Sequence, residues 1–223
     1  MMPHFTPALQ ILPESQQSLW PSLAPLAQQG FVLYGGTAIA LRLGHRISVD
    51  FDFFSDLSLD RKKILALPCL KAAKIITEEA ESLTFLVESA DPRGHSVKVS
   101  LFGGIPFGRV GEPDSSDDGV ARAASLLDLL GTKLKVILQR AEAKDYLDIA
   151  RILETGIPLA LGLGAAQTLF GSSFQPAECL KALSFFGDGD LGTLRPAARD
   201  TLLNAAGATR HVEAVPLLAR SLS

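Results

Sequence analysis

The chain has 223 residues, 47% of them hydrophobic, which is enough apolar material for one large or two small cores. Its formal net charge of -3 excludes a general nucleic-acid coat protein, so any contact with RNA needs a local basic patch. No apolar run reaches the ~18 residues of a membrane span, and the first residues lack the basic region of a signal peptide. We therefore expect a cytoplasmic protein with no membrane partner.

The first half of the chain begins with a glycine turn between a strand and a helix. The predicted elements there are a helix over 13–29, a strand over 31–34 and a helix over 37–43. Gly35 and Gly36 form the turn, and Thr37 is a candidate N-cap. Glycines accept positive φ, and the N–H groups at a helix start attract anions. The turn is therefore either a phosphate site or a tight connection without a ligand. It is not a P-loop, because the required lysine is missing.

The next predicted strand, over 49–53, carries two acidic residues on one face. Every second residue is apolar, so Asp50 and Asp52 point the same way. At about 3.4 Å per residue they lie roughly 7 Å apart, and neither has a Lys or Arg beside it in the sequence. Mg²⁺ or Mn²⁺ would offset their repulsion, because carboxylate and phosphate oxygens are ligands of these cations. The alternative is an edge strand with a solvated acidic face.

The rest of the chain passes from strands to helices. The predicted elements are a helix over 59–73, strands over 83–87 and 97–102 that form an antiparallel hairpin around a turn at 91–94, a loop over 111–119 and a short strand over 120–123. The acidic loop is the expected domain boundary. From Ser125 onwards the pattern predicts a helical bundle.

A basic pattern stands out in this helical part. If residues 127–151 form one helix, the side chains on one stripe are those of Lys133, Arg140, Lys144 and Arg151. Such a stripe could hold a triphosphate or an acceptor's phosphate backbone. The alternative is a solvated helix face, supported by the spacing of Lys144 and Asp148. A break near 141–143 would disrupt the stripe.

The order of strand, Gly-Gly-Thr turn, helix and acidic strand resembles the nucleotidyltransferase superfamily related to DNA polymerase beta. More narrowly, the chain is similar to the AbiEii/AbiGii toxin family of minimal nucleotidyltransferases. The segments that carry this similarity are Gly35-Gly36-Thr37-Ala38, Gly44-His45-Arg46, Ser48-x-Asp50-x-Asp52, and the later Lys133, Arg140 and Lys144-Asp145. The resemblance implies an α+β fold, with a small mixed-sheet nucleotidyltransferase core over 1–118. A mainly helical domain over 119–223 would complete the cleft.

The resemblance also implies an activity and a set of site residues. The expected reaction is Mg²⁺-dependent transfer of a nucleoside monophosphate from a nucleoside triphosphate (NTP) to an acceptor hydroxyl. tRNA is a candidate acceptor, and the toxin of such a toxin–antitoxin system is opposed by a cognate antitoxin. The expected metal ligands and catalytic residues are Asp50 and Asp52, joined in catalysis by Lys133 and Asp145. The expected nucleotide-binding residues are Gly35, Gly36, Thr37, Arg46, Ser48, Lys133, Arg140 and Lys144.

One position departs from the wider superfamily, which often has a third carboxylate on a later strand. Ser100 stands there in this chain. Either Asp145 or Asp148 supplies the acid, or a water does, or the protein has little transferase activity. The last case describes a protein that binds nucleotide or antitoxin without turnover. A transferase acting on a small-molecule or protein hydroxyl is a further alternative.

The remaining sequence features give weaker evidence about function. Cys69 and Cys179 lack metal-ligand spacing, so we expect buried thiols. The segment Gly162-Leu163-Gly164 superficially suggests a dinucleotide site, but no strand precedes it, and we reject that interpretation. His45 either contacts phosphate or is structural. Arg46 either contacts phosphate or pairs with one of the two aspartates.

Overall fold

The structure is a computed structural model that describes residues 4–88 and 95–223. The chain divides into two compact units. The first consists of residues 1–108, 112–124 and 219–223, and the second of residues 109–111 and 125–218. The first unit contains the sheet and the second is helical. This composition confirms the predicted α+β class and mixed sheet.

The first unit is built on an eight-stranded mixed sheet within the described residues. Its strands in chain order are β1 (His4–Phe5), β2 (Val32–Tyr34), β3 (Asp50–Phe54), β4 (Lys74–Glu79), β5 (Ser82–Glu88), β6 (Ser96–Phe102), β7 (Asp114–Ser116) and β8 (Arg122–Ala123). They are arranged in the order β1-β7-β8-β2-β3-β6-β5-β4. The acidic strand β3 is therefore central, antiparallel to β2 and parallel to β6.

The alternation predicted for β3 is present. Phe51 and Phe53 are buried on one face, where Phe51 lies against the ring of Trp20. Asp50 and Asp52 point to the other face and are partly exposed. Burial of the aromatic face fixes the register, because a shift by one residue would bury both carboxylates.

Four helices accompany the sheet in the described part of the first unit. They are α1 (Glu14–Leu19), α2 (Ala24–Gln28), α3 (Gly35–Leu43) and α4 (Arg61–Leu65), with 3-10 turns at Leu9–Ile11 and Trp20–Leu23. The helix predicted over 13–29 is thus divided into α1, a 3-10 turn and α2. The prediction of a helix over 59–73 was wrong beyond Leu65, and the following strand β4 was missed.

Two further predictions concern the strands. The antiparallel pairing of β5 with β6 is confirmed, while the predicted turn at 91–94 lies outside the described residues. The segment 111–119 is not only a loop, because it contains β7, which pairs with β1 and β8. The strand expected at 120–123 is reduced to β8.

The second unit contains helices α5 (Leu126–Val136), α6 (Ala143–Leu153), α7 (Leu159–Phe170), α8 (Pro176–Leu183) and α9 (Pro196–Ala208), with 3-10 turns at Gly171–Ser173 and Leu191–Thr193. Ser125 caps α5, because its hydroxyl accepts a hydrogen bond from the Asp128 backbone N–H. No helix among the described residues is long and apolar enough to cross a membrane.

The glycines of α7 serve helix packing. A Cβ on Gly162 would lie 2.7 Å from Leu130 Cγ on α5. A Cβ on Gly164 would collide with the backbone carbonyl of Glu213. The two glycines therefore let α5 and the segment at Glu213 approach α7 closely. This packing role agrees with rejection of a dinucleotide site.

Candidate active site

The glycine turn and the acidic strand meet in the first unit. Tyr34, which ends β2, pairs directly with Asp52 of β3. Gly35 follows with a φ of +69°, and a Cβ there would lie 2.8 Å from Asp52 Oδ2. Only glycine satisfies both the positive φ and this close approach. The backbone at the start of α3 is therefore held against one of the two carboxylates.

Thr37 and Ser48 join the helix to the strand. Thr37 was predicted to be the N-cap of α3 but lies inside the helix, which begins at Gly35 after Tyr34. Both side chains are buried, and their hydroxyls share a hydrogen bond of 2.8 Å. The Thr37 hydroxyl also donates to the backbone carbonyl of Asp50. These bonds set the position of the glycine turn relative to the first carboxylate.

The guanidinium of Arg46 lies over the second glycine of the turn. A Cβ on Gly36 would collide with Arg46 Nη2 and would lie 3.4 Å from Ser48 Oγ. Nη1 of Arg46 donates to the carbonyl of Ile47 at 2.9 Å. A positive side chain and the start of a helix thus converge at this turn, an arrangement that suits a phosphate group.

Lys98 is a charged neighbour that sequence reasoning missed. It pairs with Asp50 across β3 and β6, and its Nζ lies 3.0 Å from Asp50 Oδ2. The two aspartates have no Lys or Arg beside them along the chain, and Lys98 reaches Asp50 from the neighbouring strand β6. Lys98 alternates in phase with Ser100, but the sequence does not state that their strand pairs with β3. Both side chains of the pair are about 40% exposed, so the ion pair faces solvent.

Ser100 lies on β6 directly opposite Asp52 in the parallel pair. It is buried at 4% exposure. Among residues 4–88 and 95–223 no cluster of three or more His, Cys, Asp or Glu residues is arranged to hold a metal ion. The pair Asp50 and Asp52 nevertheless fits Mg²⁺, which is commonly bound through one or two carboxylates together with substrate phosphates and waters.

The second group of predicted residues forms a charge cluster within the helical unit. Lys133 of α5 places its Nζ 2.6 Å from Asp145 Oδ1 and 2.7 Å from Asp148 Oδ2, both on α6. The two carboxylates are fully buried and the lysine side chain is 8% exposed. Arg140 Nε donates to Asp145 Oδ2 at 2.8 Å. Burial acts to raise the pKa of Asp145, but Arg140 and Lys133 outweigh it and hold that pKa below its usual range.

The continuous basic stripe does not form. Helix α5 ends at Val136 and α6 begins at Ala143, so Lys133 and Arg151 are on different helices. Arg140 lies in the connection and Lys144 in the first turn of α6, and both side chains are about half exposed. Lys144 Nζ lies 2.7 Å from Glu142 Oε2. The predicted motif is therefore divided into a buried Lys133 cluster and two exposed basic residues.

The mixed sheet, with its glycine turn beside paired aspartates on the next strand, is typical of the nucleotidyltransferases. The chain belongs to the family described as nucleotidyl transferase AbiEii toxin of type IV toxin–antitoxin systems, whose model matches residues 22–191. The resemblance drawn from the motifs is thereby confirmed.

Solved structures agree on the fold. A protein from H. pylori, described as a putative nucleotidyltransferase, superposes with a TM-score of 0.56 at 19% identity, covering 86% of this chain and 90% of the other. JHP933 from Helicobacter pylori superposes with a TM-score of 0.55 at 18% identity, covering 88% of this chain and 90% of the other. MenT4, a nucleotidyltransferase toxin from Mycobacterium tuberculosis, superposes with a TM-score of 0.54 at 16% identity, covering 86% of this chain and 75% of the other.

Protein aq_aa25 of Aquifex aeolicus is similar in sequence, with 29% identity over 126 residues. The match covers 53% of this chain and 55% of that relative, so it spans about half the length of each.

Proposed function

We propose that this toxin-family nucleotidyltransferase uses Mg²⁺ or Mn²⁺ to transfer a nucleoside monophosphate from an NTP to an acceptor hydroxyl on RNA, with tRNA as the first candidate. Membership of the AbiEii family supports the class of reaction and implies a cognate antitoxin as partner. Its NTP donor is an intracellular metabolite, which supports action in the cytoplasm. The observation that carries the proposal is the contact of Gly35 with Asp52, beside Asp50 on the same face of β3.

The donor's triphosphate is assigned to the start of α3. Backbone N–H groups after Gly35 and Gly36, together with the Arg46 guanidinium, offer donors to phosphate oxygens. Thr37 and Ser48 hold this turn against β3 through their shared hydrogen bond. The Asp50 and Asp52 carboxylates would hold the metal ion, which would neutralise charge at the phosphates and the reacting oxygens.

The transfer makes one bond and breaks one bond. The acceptor's hydroxyl oxygen bonds to the α-phosphorus, and the bond from that phosphorus to the oxygen bridging to the β-phosphate breaks. Pyrophosphate leaves with the electron pair. We assign the hydroxyl proton to water, because the Asp145 carboxylate is held by Lys133 and Arg140, and its lowered pKa makes it a weak base.

The helical unit is proposed to supply positive charge for the reaction. Arg140 and Lys144 are exposed enough to contact phosphate oxygens of donor or acceptor. Lys133 could neutralise phosphate charge only if its ammonium left one of its two buried carboxylate partners and paired with a phosphate oxygen instead. We therefore propose that Lys133 and Asp145 act mainly by fixing Arg140, whose Nε lies 2.8 Å from Asp145 Oδ2.

A second candidate function is nucleotide or antitoxin binding without turnover. The serine opposite Asp52 favours it, since Ser100 leaves the pair of aspartates without a third acid on the adjacent strand. A transferase that modifies a small-molecule or protein hydroxyl remains the third candidate, because the donor site does not define the acceptor.

The test is incubation of the protein with Mg²⁺ and each α-labelled NTP, with and without total tRNA. The variants are Asp50→Asn and Asp52→Asn, and Glu154→Gln serves as control because it removes an exposed charge on the helical unit. We expect label in tRNA with the wild type and the control, and a loss of at least about a hundredfold in the aspartate variants.

The other outcomes separate the candidates. Nucleotide binding without label transfer supports the second function, and label in protein or in a small molecule supports the third. Transfer that persists in both aspartate variants would show that the site is wrongly assigned.

A further inference from the structure

A surface pocket of about 630 Å³ opens beside Asp50 in the first unit. Its wall combines residues 12–17, around the start of α1, with the first residues of β3 and β6. Leu12 and Leu86 provide apolar surface, while Ser96 and Lys98 provide polar groups. The volume falls within the range of roughly 300–1,000 Å³ typical of small-ligand sites. A single nucleotide unit therefore fits this pocket in size and polarity.

The two carboxylates of β3 have different surroundings. Asp52 lies against the glycine turn, since a Cβ on Gly35 would lie 2.8 Å from its Oδ2, and the proposed function assigns this turn to the donor's triphosphate. Asp50 instead forms part of the pocket wall. In-line transfer requires the acceptor oxygen and the leaving pyrophosphate on opposite sides of the α-phosphorus. If the donor's phosphates occupy the Asp52 end, the Asp50 end is left for the acceptor.

Lys98 gives this pocket a positive charge. We expect its ion pair with Asp50 to be broken when a divalent cation binds Asp50. The Lys98 ammonium is 3.0 Å from the Asp50 carboxylate and forms an ion pair with it. A divalent cation held by Asp50 would neutralise that carboxylate, and its charge would repel the ammonium. Lys98 is then available for an anion in the pocket. Within a nucleotide-sized pocket with apolar walls, the fitting anion is a phosphodiester.

We propose that this pocket binds the terminal nucleotide of an RNA acceptor, with the Lys98 ammonium on its phosphate and the terminal hydroxyl directed towards Asp50. The inference rests on the proposed donor site and adds the place and chemistry of the acceptor. An acceptor without phosphate would leave Lys98 unused. A phosphate contact strengthens binding for every RNA sequence and does not select a base.

The experiment measures RNA binding separately from transfer. The probes are two 5′-fluorescein-labelled single-stranded octaribonucleotides of different sequence, followed by fluorescence anisotropy with Mg²⁺ and non-transferable α,β-methylene NTP analogues at several salt concentrations. The variants are Lys98→Met, which removes the charge, and Ser96→Trp, which fills the pocket without a change of charge. Lys62→Met is the control, because Lys62 is an exposed lysine of the same unit outside the pocket.

We expect Lys98→Met to weaken both RNAs alike and to reduce the slope of log affinity against log salt by about 0.7, the value for one phosphate contact on a single strand. Ser96→Trp should weaken RNA binding and keep the slope. Lys62→Met should match the wild type. Calorimetry should show unchanged binding of the analogue in all three variants.

Equal slopes for Lys98→Met and Lys62→Met would overturn the proposal. So would loss of analogue binding instead of RNA binding in Lys98→Met, which would assign the pocket to the donor. Wild-type protein that binds the analogue and no RNA overturns the acceptor pocket and leaves the donor site intact. If RNA binding depends on Lys98 but Asp50→Asn leaves the binding of the analogue unchanged, the donor site alone is overturned.

Discussion

At the scale of single residues, Gly35 is the most constrained position of the candidate site. Its φ of +69° is a conformation that costs an L-residue about 1–2 kcal/mol. Its missing side chain also leaves room for Asp52 Oδ2, which a Cβ would meet at 2.8 Å. The first requirement concerns the backbone and the second concerns the carboxylate, so the two can be separated experimentally.

We expect Gly35→Ala to lower the free energy of unfolding by about 1–2 kcal/mol and also to weaken Mn²⁺ binding, because Asp52 must move. Gly119→Ala is the matched control, since Gly119 has a φ of +72° and a Cβ there would meet nothing within 4 Å. It should show the same loss of stability with unchanged Mn²⁺ affinity. Denaturant unfolding and calorimetric titration make the comparison. Equal Mn²⁺ affinities in both variants would contradict the assignment of Asp52.

The charged neighbour of Asp50 could not be predicted from the sequence, because it lies on another strand. The common face of Asp50 and Asp52 follows from alternation over two residues and was predictable. The partner Lys98 is 48 positions from Asp50 along the chain and reaches it only through the parallel pairing of β3 with β6. Because a sequence does not state which strands pair, the ion pair was not predictable.

At the scale of helices and strands, the Lys133 cluster joins α5 to α6. The sequence allowed a solvated or phosphate-binding stripe if residues 127–151 formed one helix. The structure instead ends α5 at Val136, and the two helices bring Lys133 onto the buried Asp145 and Asp148. One ammonium between two buried carboxylates leaves a net negative charge, which the Arg140 guanidinium offsets from the rim.

We expect Lys133→Met to destabilise the protein by about 3–5 kcal/mol, because it leaves two buried carboxylates without their shared cation. Lys181→Met is the control, since Lys181 pairs with Glu178 on the surface and its removal should cost about 1 kcal/mol or less. Urea unfolding of both variants gives the comparison. A loss for Lys133→Met as small as that for Lys181→Met would mean that the cluster contributes little to the helical unit.

Short strands were harder to predict than the elements with strong periodicity. β3, β5 and β6 have an apolar residue at every second position and were predicted, as was a helical region from Ser125 onwards. β4 has mostly exposed residues at the edge of the sheet, and β7 is polar, so neither has an apolar face to reveal it. β4 becomes a strand by forming a hairpin with β5, which follows it directly in the chain. β7 becomes one by pairing with the nearby β8 and with the distant β1.

At the scale of the whole molecule, the two units are interleaved along the chain. The first unit takes in residues 219–223 after the helical unit ends, and the second takes in residues 109–111 from within the first. Leu222 is fully buried, and its backbone N–H donates to Asp56 Oδ1 at 2.8 Å. Val110 and Gly111 donate their N–H groups to Asp128 at 2.8 and 3.1 Å. Such contacts arise from the complete topology and not from any local pattern.

This topology predicts that a change near residue 222 weakens the sheet unit more than 160 positions away from it in sequence. We expect Leu222→Ala to cost about 2–5 kcal/mol, because it empties a buried site, and to speed amide hydrogen exchange around Asp56. Leu218→Ala is the control, since that side chain is 52% exposed and should cost about 0.5 kcal/mol or less. Denaturant unfolding and hydrogen exchange by mass spectrometry measure both effects. Unchanged exchange at residues 50–57 in a destabilised Leu222→Ala variant would show that the last residues do not stabilise the strand that carries the two aspartates.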